Sequence, residues 1–169
     1  MNAIERVARF MHENNLTLVT AESCTAGLIS ATLADIPGAG GLLDCAFVVY
    51  SVDAKRRCLA VPQSTLATHN LTSEAVARDM ALGAARKSPA NVAVANTGVT
   101  DATDDRIPSG TQCYAWVFKS GQADASPIVY TATRQFFGDR NSIRKASAEF
   151  ALLGIVEHFL RHQFGSRAS

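Results

Sequence analysis

The alternation of β-prone and helical stretches is the feature that most limits how this chain can fold. Leu16–Thr20, Ala46–Tyr50 and Asn91–Ala95 are short apolar runs, too brief for helices and suited to strands inside a sheet. The stretches around them carry helical spacing. Ile4, Val7, Ala8 and Met11 mark a helix over about Asn2–Glu13, ended by Asn14-Asn15, and Thr25–Ala34 is apolar on most sides and stops near Ile36-Pro37-Gly38. Ser51 or Asp53 caps a short helix that Val61-Pro62 halts, and Thr72-Ser73-Glu74 opens a longer one reaching about Lys87. Thr111–Lys119 and Ile128–Phe136 read as two strands joined around Gly121, and Asn141–His162 as a closing helix. This order puts helices on both faces of a mixed sheet. Ligands collect outside the carboxyl ends of the parallel strands in such folds, so the loops after Thr20, Tyr50 and Ala95 are where a site is expected.

A length of 169 residues suits a single domain over 1–169 with a substantial core and no need of disulfide or metal staples. With 16 lysines and arginines against 15 aspartates and glutamates, no overall field draws the chain to nucleic acid or to an anionic membrane. Any anion has to be bound locally. Met1–Asn14 lacks the basic flank and apolar run of a leader, and no segment is long enough to span a bilayer, so a cytoplasmic location is expected. Cys24, Cys45, Cys58 and Cys113 show no C-x-x-C spacing, which argues against zinc or a redox pair. Neither a metal nor a cofactor is expected. His158 and His162 share a helix face, but without the Glu of an H-E-x-x-H motif they read as surface or partner-facing side chains.

The unit Ala21-Glu22-Ser23-Cys24-Thr25-Ala26-Gly27 lies between an apolar run and a helical one. A serine there sits beside backbone N–H groups and a helix dipole, which suits an oxyanion or a phosphate, and equally suits an ordinary cap. Cys24 reads either as a thiol activated by that helix end or as a small buried side chain. In the second loop Tyr50-Ser51 ends a strand and Lys55 follows about a helical turn later. A lysine in a desolvated cleft can accept the proton of a serine hydroxyl, whereas a lysine in the run Lys55-Arg56-Arg57 can also be a solvated surface charge. From Thr97 to Gly110 the chain is rich in Asp, Thr and Gly and reads as a surface loop of functional length.

The motifs Ala21-Glu22-Ser23-Cys24-Thr25-x-Gly27, Pro37-Gly38, Val48-x-Tyr50-Ser51-x-x-Ala54-Lys55, Thr65-Leu66-x-x-His69, Thr97-Gly98 and Gly138-Asp139-Arg140-x-x-Ile143-Arg144 occur in this order over nearly the whole chain. Together they resemble the CinA C-terminal domain family. The resemblance implies a three-layer α/β/α sandwich with a mixed sheet, and an activity found in that family: metal-independent hydrolysis of the carboxamide of nicotinamide mononucleotide to nicotinate mononucleotide and ammonia. It places the serine nucleophile on Ser23, the lysine base on Lys55 and a supporting tyrosine on Tyr50. Turn N–H groups near Cys24, Thr25, Ala26 and Gly27 would stabilise the oxyanion, with Thr97 and Gly98 also against the substrate. Arg140 reads as a bidentate phosphate ligand or as one side of a salt bridge with Asp139 or a neighbour. A small nucleotide is the expected partner, and a homo-oligomer the expected assembly.

Three departures bear on that reading. The family usually has two glycines after Ser-Cys-Thr, and Ala26 stands at the first; Val52 and Asp53 stand where Asn and Glu are common. After Thr97-Gly98 the glycine-rich loop of amidase relatives is replaced by 99–109, whose Asp101, Asp104 and Asp105 would weaken phosphate binding unless Arg106 or Arg140 offsets them. The alternative reading is therefore a catalytically altered or inactive family member that binds a nucleotide or another ligand.

Overall fold

The computed structural model describes residues 1–122 and 124–165; position 123 and the last four residues of the expected 1–169 unit lie outside the described residues. In chain order the elements are α1 (Ala3–Glu13), β1 (Leu18–Glu22), α2 (Leu28–Ala34), a 3-10 turn (Ala39–Gly41), β2 (Leu43–Val48), α3 (Val52–Leu59), α4 (Gln63–Thr68), α5 (Glu74–Lys87), β3 (Val92–Gly98), β4 (Thr111–Phe118), β5 (Ile128–Gln135) and α6 (Arg140–Gly165). The strands form one sheet in the order β2-β1-β3-β4-β5. β2, β1 and β3 are parallel, and β4 and β5 add antiparallel. This is the mixed α/β architecture expected from the alternation.

Period-two alternation in the strands divides the core in two. Leu18, Val92, Val94, Tyr114, Trp116 and Phe118 pack with α1, α2 and α6. Val19, Ala21, Ala93, Ala95, Ala115 and Val117 pack with Leu59 of α3 and with α5. The second face is built from small residues on both sides, since α5 presents Ala77, Ala81 and Ala84. Helix and sheet can therefore approach closely. On the other flank of α5, a Cβ at Gly83 would be driven into the Leu59 carbonyl, so this glycine is what lets the carboxyl end of α3 pack tightly.

Several boundaries differ from the sequence reading. β1 begins at Leu18 rather than Leu16 and runs through Glu22, because the preceding connection is tied down elsewhere: the Leu16 N–H donates to the Met11 carbonyl and the Thr17 N–H to Asn91 Oδ1. β2 ends at Val48 rather than Tyr50, and α2 opens at Leu28 rather than Thr25. β3 continues to Gly98, where Asn96, Thr97 and Gly98 pair with Tyr114, Cys113 and Gln112 of β4. The polar loop is accordingly shorter than expected. α4 is absent from the sequence reading; Pro62 both stops α3 and starts α4, its fixed φ and missing N–H suiting a helix entry.

His158, expected at the surface, is buried. Its ring stacks on Tyr130 with centroids 4.7 Å apart and lies 4.5 Å from Trp116, and burial pushes its pKa down. Among the described residues no helix is long and apolar enough to cross a membrane.

Gly83→Ala is expected to destabilise the fold by about 1–3 kcal/mol through forced separation of α3 from α5. Urea unfolding monitored through Trp116 checks this; an unchanged midpoint would show that α3 can shift at no cost.

Candidate active site

The carboxyl ends of the three parallel strands meet at one edge of the sheet, with Glu22 of β1 flanked by Val48 of β2 and Asn96 of β3. The segments leaving those strands enclose a cleft of about 500 Å³ lined by Ser23, Tyr50, Lys55, His69, Thr97 and Gly98, among others. An adjoining cavity of about 140 Å³ shares Cys24, Tyr50, Gly98 and Val99 with it and adds Thr100, Asp101 and Arg140. The three expected loops converge there.

Lys55 is 1% exposed, unlike its neighbours Arg56 and Arg57. Ser51 caps α3 by accepting from the Ala54 N–H, and this start turns position 55 inward under the strand ends. The Lys55 ammonium donates to Ser23 Oγ at 3.0 Å, to the Val49 carbonyl at 3.0 Å and to the Tyr50 carbonyl at 3.1 Å. Two main-chain acceptors thus fix two of its hydrogens. The remaining tetrahedral position points at Ser23 Oγ, and in the neutral amine that position is a lone pair. Burial pushes the Lys55 pKa down to about 8, so about one molecule in ten holds the neutral amine at pH 7. The sign for stability follows from the same shift. The cost of the buried charge is fully present below about pH 8 and fades as pH rises from there to the ordinary lysine value of 10.5.

The turn after β1 is organised by a residue the sequence reading gave no role. Glu22 is fully buried, and its carboxylate accepts from the N–H groups of Gly27 and Ile29 through one oxygen and of Ser30 and the Thr20 hydroxyl through the other. The positive end of α2 is therefore filled by the protein's own anion. This overturns the expectation that Thr25, Ala26 and Gly27 offer N–H groups to a substrate. The Ser23 N–H donates to the Asn96 carbonyl, Thr25 to Asn96 Oδ1, Ala26 to the Ser23 carbonyl and Gly27 to Glu22. Among the described residues the Cys24 N–H meets no hydrogen-bond acceptor. The positions reading Ala26-Gly27 both adopt left-handed backbone, with φ of 48° and 95°, a conformation that strains the alanine.

Other residues of the turn are held from beneath. Arg144 of α6 donates to the Cys24 carbonyl at 3.0 Å and to the Thr25 carbonyl at 3.1 Å. Cys24 is buried, desolvation raises its thiol pKa, and Gln112 Nε2 donates to its sulfur at 3.4 Å. It is a packed thiol rather than an activated one. Asn96, besides holding Ser23 and Thr25, donates to Gln112 Oε1 and Ser147 Oγ in a buried network that also includes Tyr114. Thr97 lines the cleft, but its hydroxyl is spent on the Leu71 carbonyl at 2.8 Å. Gly98 is required by Gln112, whose side chain a Cβ would strike. Glu22, Asn96, Gln112 and Arg144 were visible in sequence only as polar residues or motif members, which does not reveal that Asn96 meets Thr25 from 71 positions away, Gln112 meets Cys24 from 88, or Arg144 meets Cys24 from 120.

Tyr50 meets Lys55 through its carbonyl. Its phenol, on a residue 57% exposed, instead accepts from Arg140 Nη2 at 3.1 Å, while Arg140 Nη1 donates to Thr100 Oγ1 at 2.6 Å and Asp101 Oδ2 at 3.3 Å. Of the expected ion-pair partners, Asp101 rather than Asp139 meets Arg140, because Asp139 caps α6 through the Ser142 N–H. Asp104 is gripped by Arg106 through Nε and Nη2. Among the described residues no group of three or more His, Cys, Asp or Glu is gathered to hold a metal ion.

The family profile described as CinA C-terminal domain matches residues 2–159, and the chain belongs to that family. It is 32% identical over 164 residues to the nicotinamide-nucleotide amidohydrolase PncC of Escherichia coli K12, with 96% of each chain covered. It is 37% identical over 161 residues to a competence-damage inducible protein of Symbiobacterium thermophilum, covering 92% of this chain but only 38% of that longer protein. In structure it is similar to a CinA superfamily protein of Klebsiella pneumoniae 700603, with a TM-score of 0.84 at 32% identity over 95% of this chain and 99% of the other. The competence/damage inducible protein CihA of Agrobacterium tumefaciens gives 0.79 at 33% identity, over 93% and 96%.

Glu22→Gln is expected to cost about 3 kcal/mol, because an amide presents one acceptor oxygen to donors that now share two and turns an N–H₂ towards them. Ala26→Gly is expected to recover about 1 kcal/mol of left-handed strain. Chemical unfolding of both variants checks the pair, and a neutral Glu22→Gln would show that the buried carboxylate is dispensable.

Proposed function

We propose that this chain is a serine amidohydrolase that converts the carboxamide of nicotinamide mononucleotide, or of a related pyridine nucleotide, to the carboxylate with release of ammonia. The observation that carries the reading is the 3.0 Å contact between Lys55 Nζ and Ser23 Oγ inside the cleft. The name of the Escherichia coli relative, alike over nearly its full length, supports the substrate class. Residues 1–169 act as one unit in this scheme, since every reacting group comes from the same sheet edge.

Neutral Lys55 accepts the Ser23 proton as Oγ attacks the carboxamide carbon. The carbonyl oxygen becomes an oxyanion beside the Cys24 N–H, with the Arg144 charge beneath the same turn. Protonated Lys55 then gives its proton to the departing nitrogen, ammonia leaves, and an acyl ester remains on Ser23. Water attacks the ester, Lys55 takes the water's proton and returns it to Ser23 Oγ, and the carboxylic acid ionises on release. The Val49 and Tyr50 carbonyls hold the amine in register throughout. Tyr50 acts through its backbone here, and its phenol serves the Arg140 side of the site.

Ammonia release from nicotinamide mononucleotide is expected for the wild type and is expected to fall by about three orders of magnitude or more in Ser23→Ala. The rate should rise with pH through about 8, the value to which burial pushes Lys55. Equal release from wild type and Ser23→Ala would refute the assignment, and a rate flat from pH 6 to 9 would refute Lys55 as the base.

A further inference from the structure

Arg140 is the side chain best suited to a phosphate at this cleft, yet it already holds an anion. Its Nη1 donates to Thr100 Oγ1 and to Asp101 Oδ2, the Thr100 hydroxyl in turn donates to Asp101 Oδ2 at 3.0 Å, and Nη2 donates to the Tyr50 phenol. Three segments are joined in this way: the exit of β2, the exit of β3 and the first residue of α6. They close around the cavity of about 140 Å³ beside Ser23 and Lys55, the volume of roughly five water molecules. Of the five guanidinium N–H groups, three are committed, and Nε–H and one Nη2–H remain for a ligand.

Arg106, in the same loop as Asp101, is also matched. Arg106 pairs with Asp104 at 2.9 Å, and Asn70 Nδ2 donates to the same carboxylate. Arg144 faces inward on two carbonyls. A phosphate entering the cavity therefore meets Arg140 only together with Asp101, a carboxylate 3.3 Å from Nη1.

We propose that Asp101 is a specificity-determining residue: its carboxylate is a built-in occupant of the Arg140 site and sets how strongly the cleft admits a phosphorylated substrate over the same pyridine nucleoside without its phosphate. The kinetic part of this inference rests on the amidase reading above. Asp101 touches none of the reacting atoms, and its side chain is largely exposed, so its effect is electrostatic and screened by salt. An asparagine at this position keeps an acceptor for Arg140 and Thr100 and removes only the charge.

The test compares wild type with Asp101→Asn in two measurements. Steady-state ammonia release from nicotinamide mononucleotide and from nicotinamide riboside separates KM from kcat. The variant is expected to lower KM for the phosphorylated substrate about three-fold or more at low salt, a change within the range for exposed pairs. KM for the riboside and kcat for both substrates stay within error, and the difference shrinks as salt is added. Thermal unfolding with inorganic phosphate needs no turnover, and phosphate is expected to raise the melting temperature of the variant more than that of the wild type. An equal KM change for both substrates, a change in kcat alone, or no change would overturn the proposal. If neither protein releases ammonia the amidase reading fails by itself, and the phosphate titration then decides: a larger shift in the variant upholds the role of Asp101, and equal shifts overturn it.

Discussion

A lysine amine held by two main-chain carbonyls and one serine hydroxyl is the interaction on which the rest of this structure depends. A buried ammonium needs an acceptor for each hydrogen, and Lys55 obtains all three only where the exit of β2 folds back over the exit of β1. That requirement ties α3 to the sheet, sets the depth of the cleft and fixes which way Ser23 faces. The partial relief of charge by deprotonation is what the proposed chemistry would draw on. The same desolvation that costs stability at low pH leaves a base available near neutrality.

A second constraint concerns the dipole of α2. A strand turning into a helix offers an anion site, and here the chain fills it with Glu22. The carboxylate locks the turn that follows Ser23, with the N–H groups of Gly27, Ile29 and Ser30 turned inward onto it. Arg144 and Asn96 complete the cradle from α6 and β3. The Ser23 hydroxyl is thereby held in line with the Lys55 amine, the alignment that the proposed chemistry requires of them. A different part of the edge is held by Arg140, which bridges three segments.

The packing behind the site follows the same economy. Alanines on both sides of the β-sheet–α5 interface and Gly83 against Leu59 bring α3 close to the sheet, whereas bulky Tyr114, Trp116 and Phe118 fill the opposite face under α6. From the smaller face Lys55 reaches the strand ends. The larger face supplies Ser147 and Arg144, which support the turn from behind.

The mixed sheet with helices on both faces was legible in sequence because hydrophobic period and turn residues are local properties: Leu16–Thr20 and Asn91–Ala95 announce strands, and Ile4, Val7 and Met11 a helix, without knowledge of their neighbours. Ser23 and Lys55 stood out as residue types in a motif, but their 3.0 Å contact spans 32 positions. Only the register of β1 against β2 brings them together. The same holds for Glu22, which reads as an ordinary acid until α2 is laid over it, for Tyr50, whose carbonyl rather than phenol meets the lysine, and for His158, whose burial depends on Trp116 and Tyr130 arriving from two other strands. Element type and order were thus written locally, whereas charge partners, hydrogen-bond acceptors and burial were decided by the tertiary structure, because each of those depends on groups that sequence distance keeps apart and chain folding alone brings within reach.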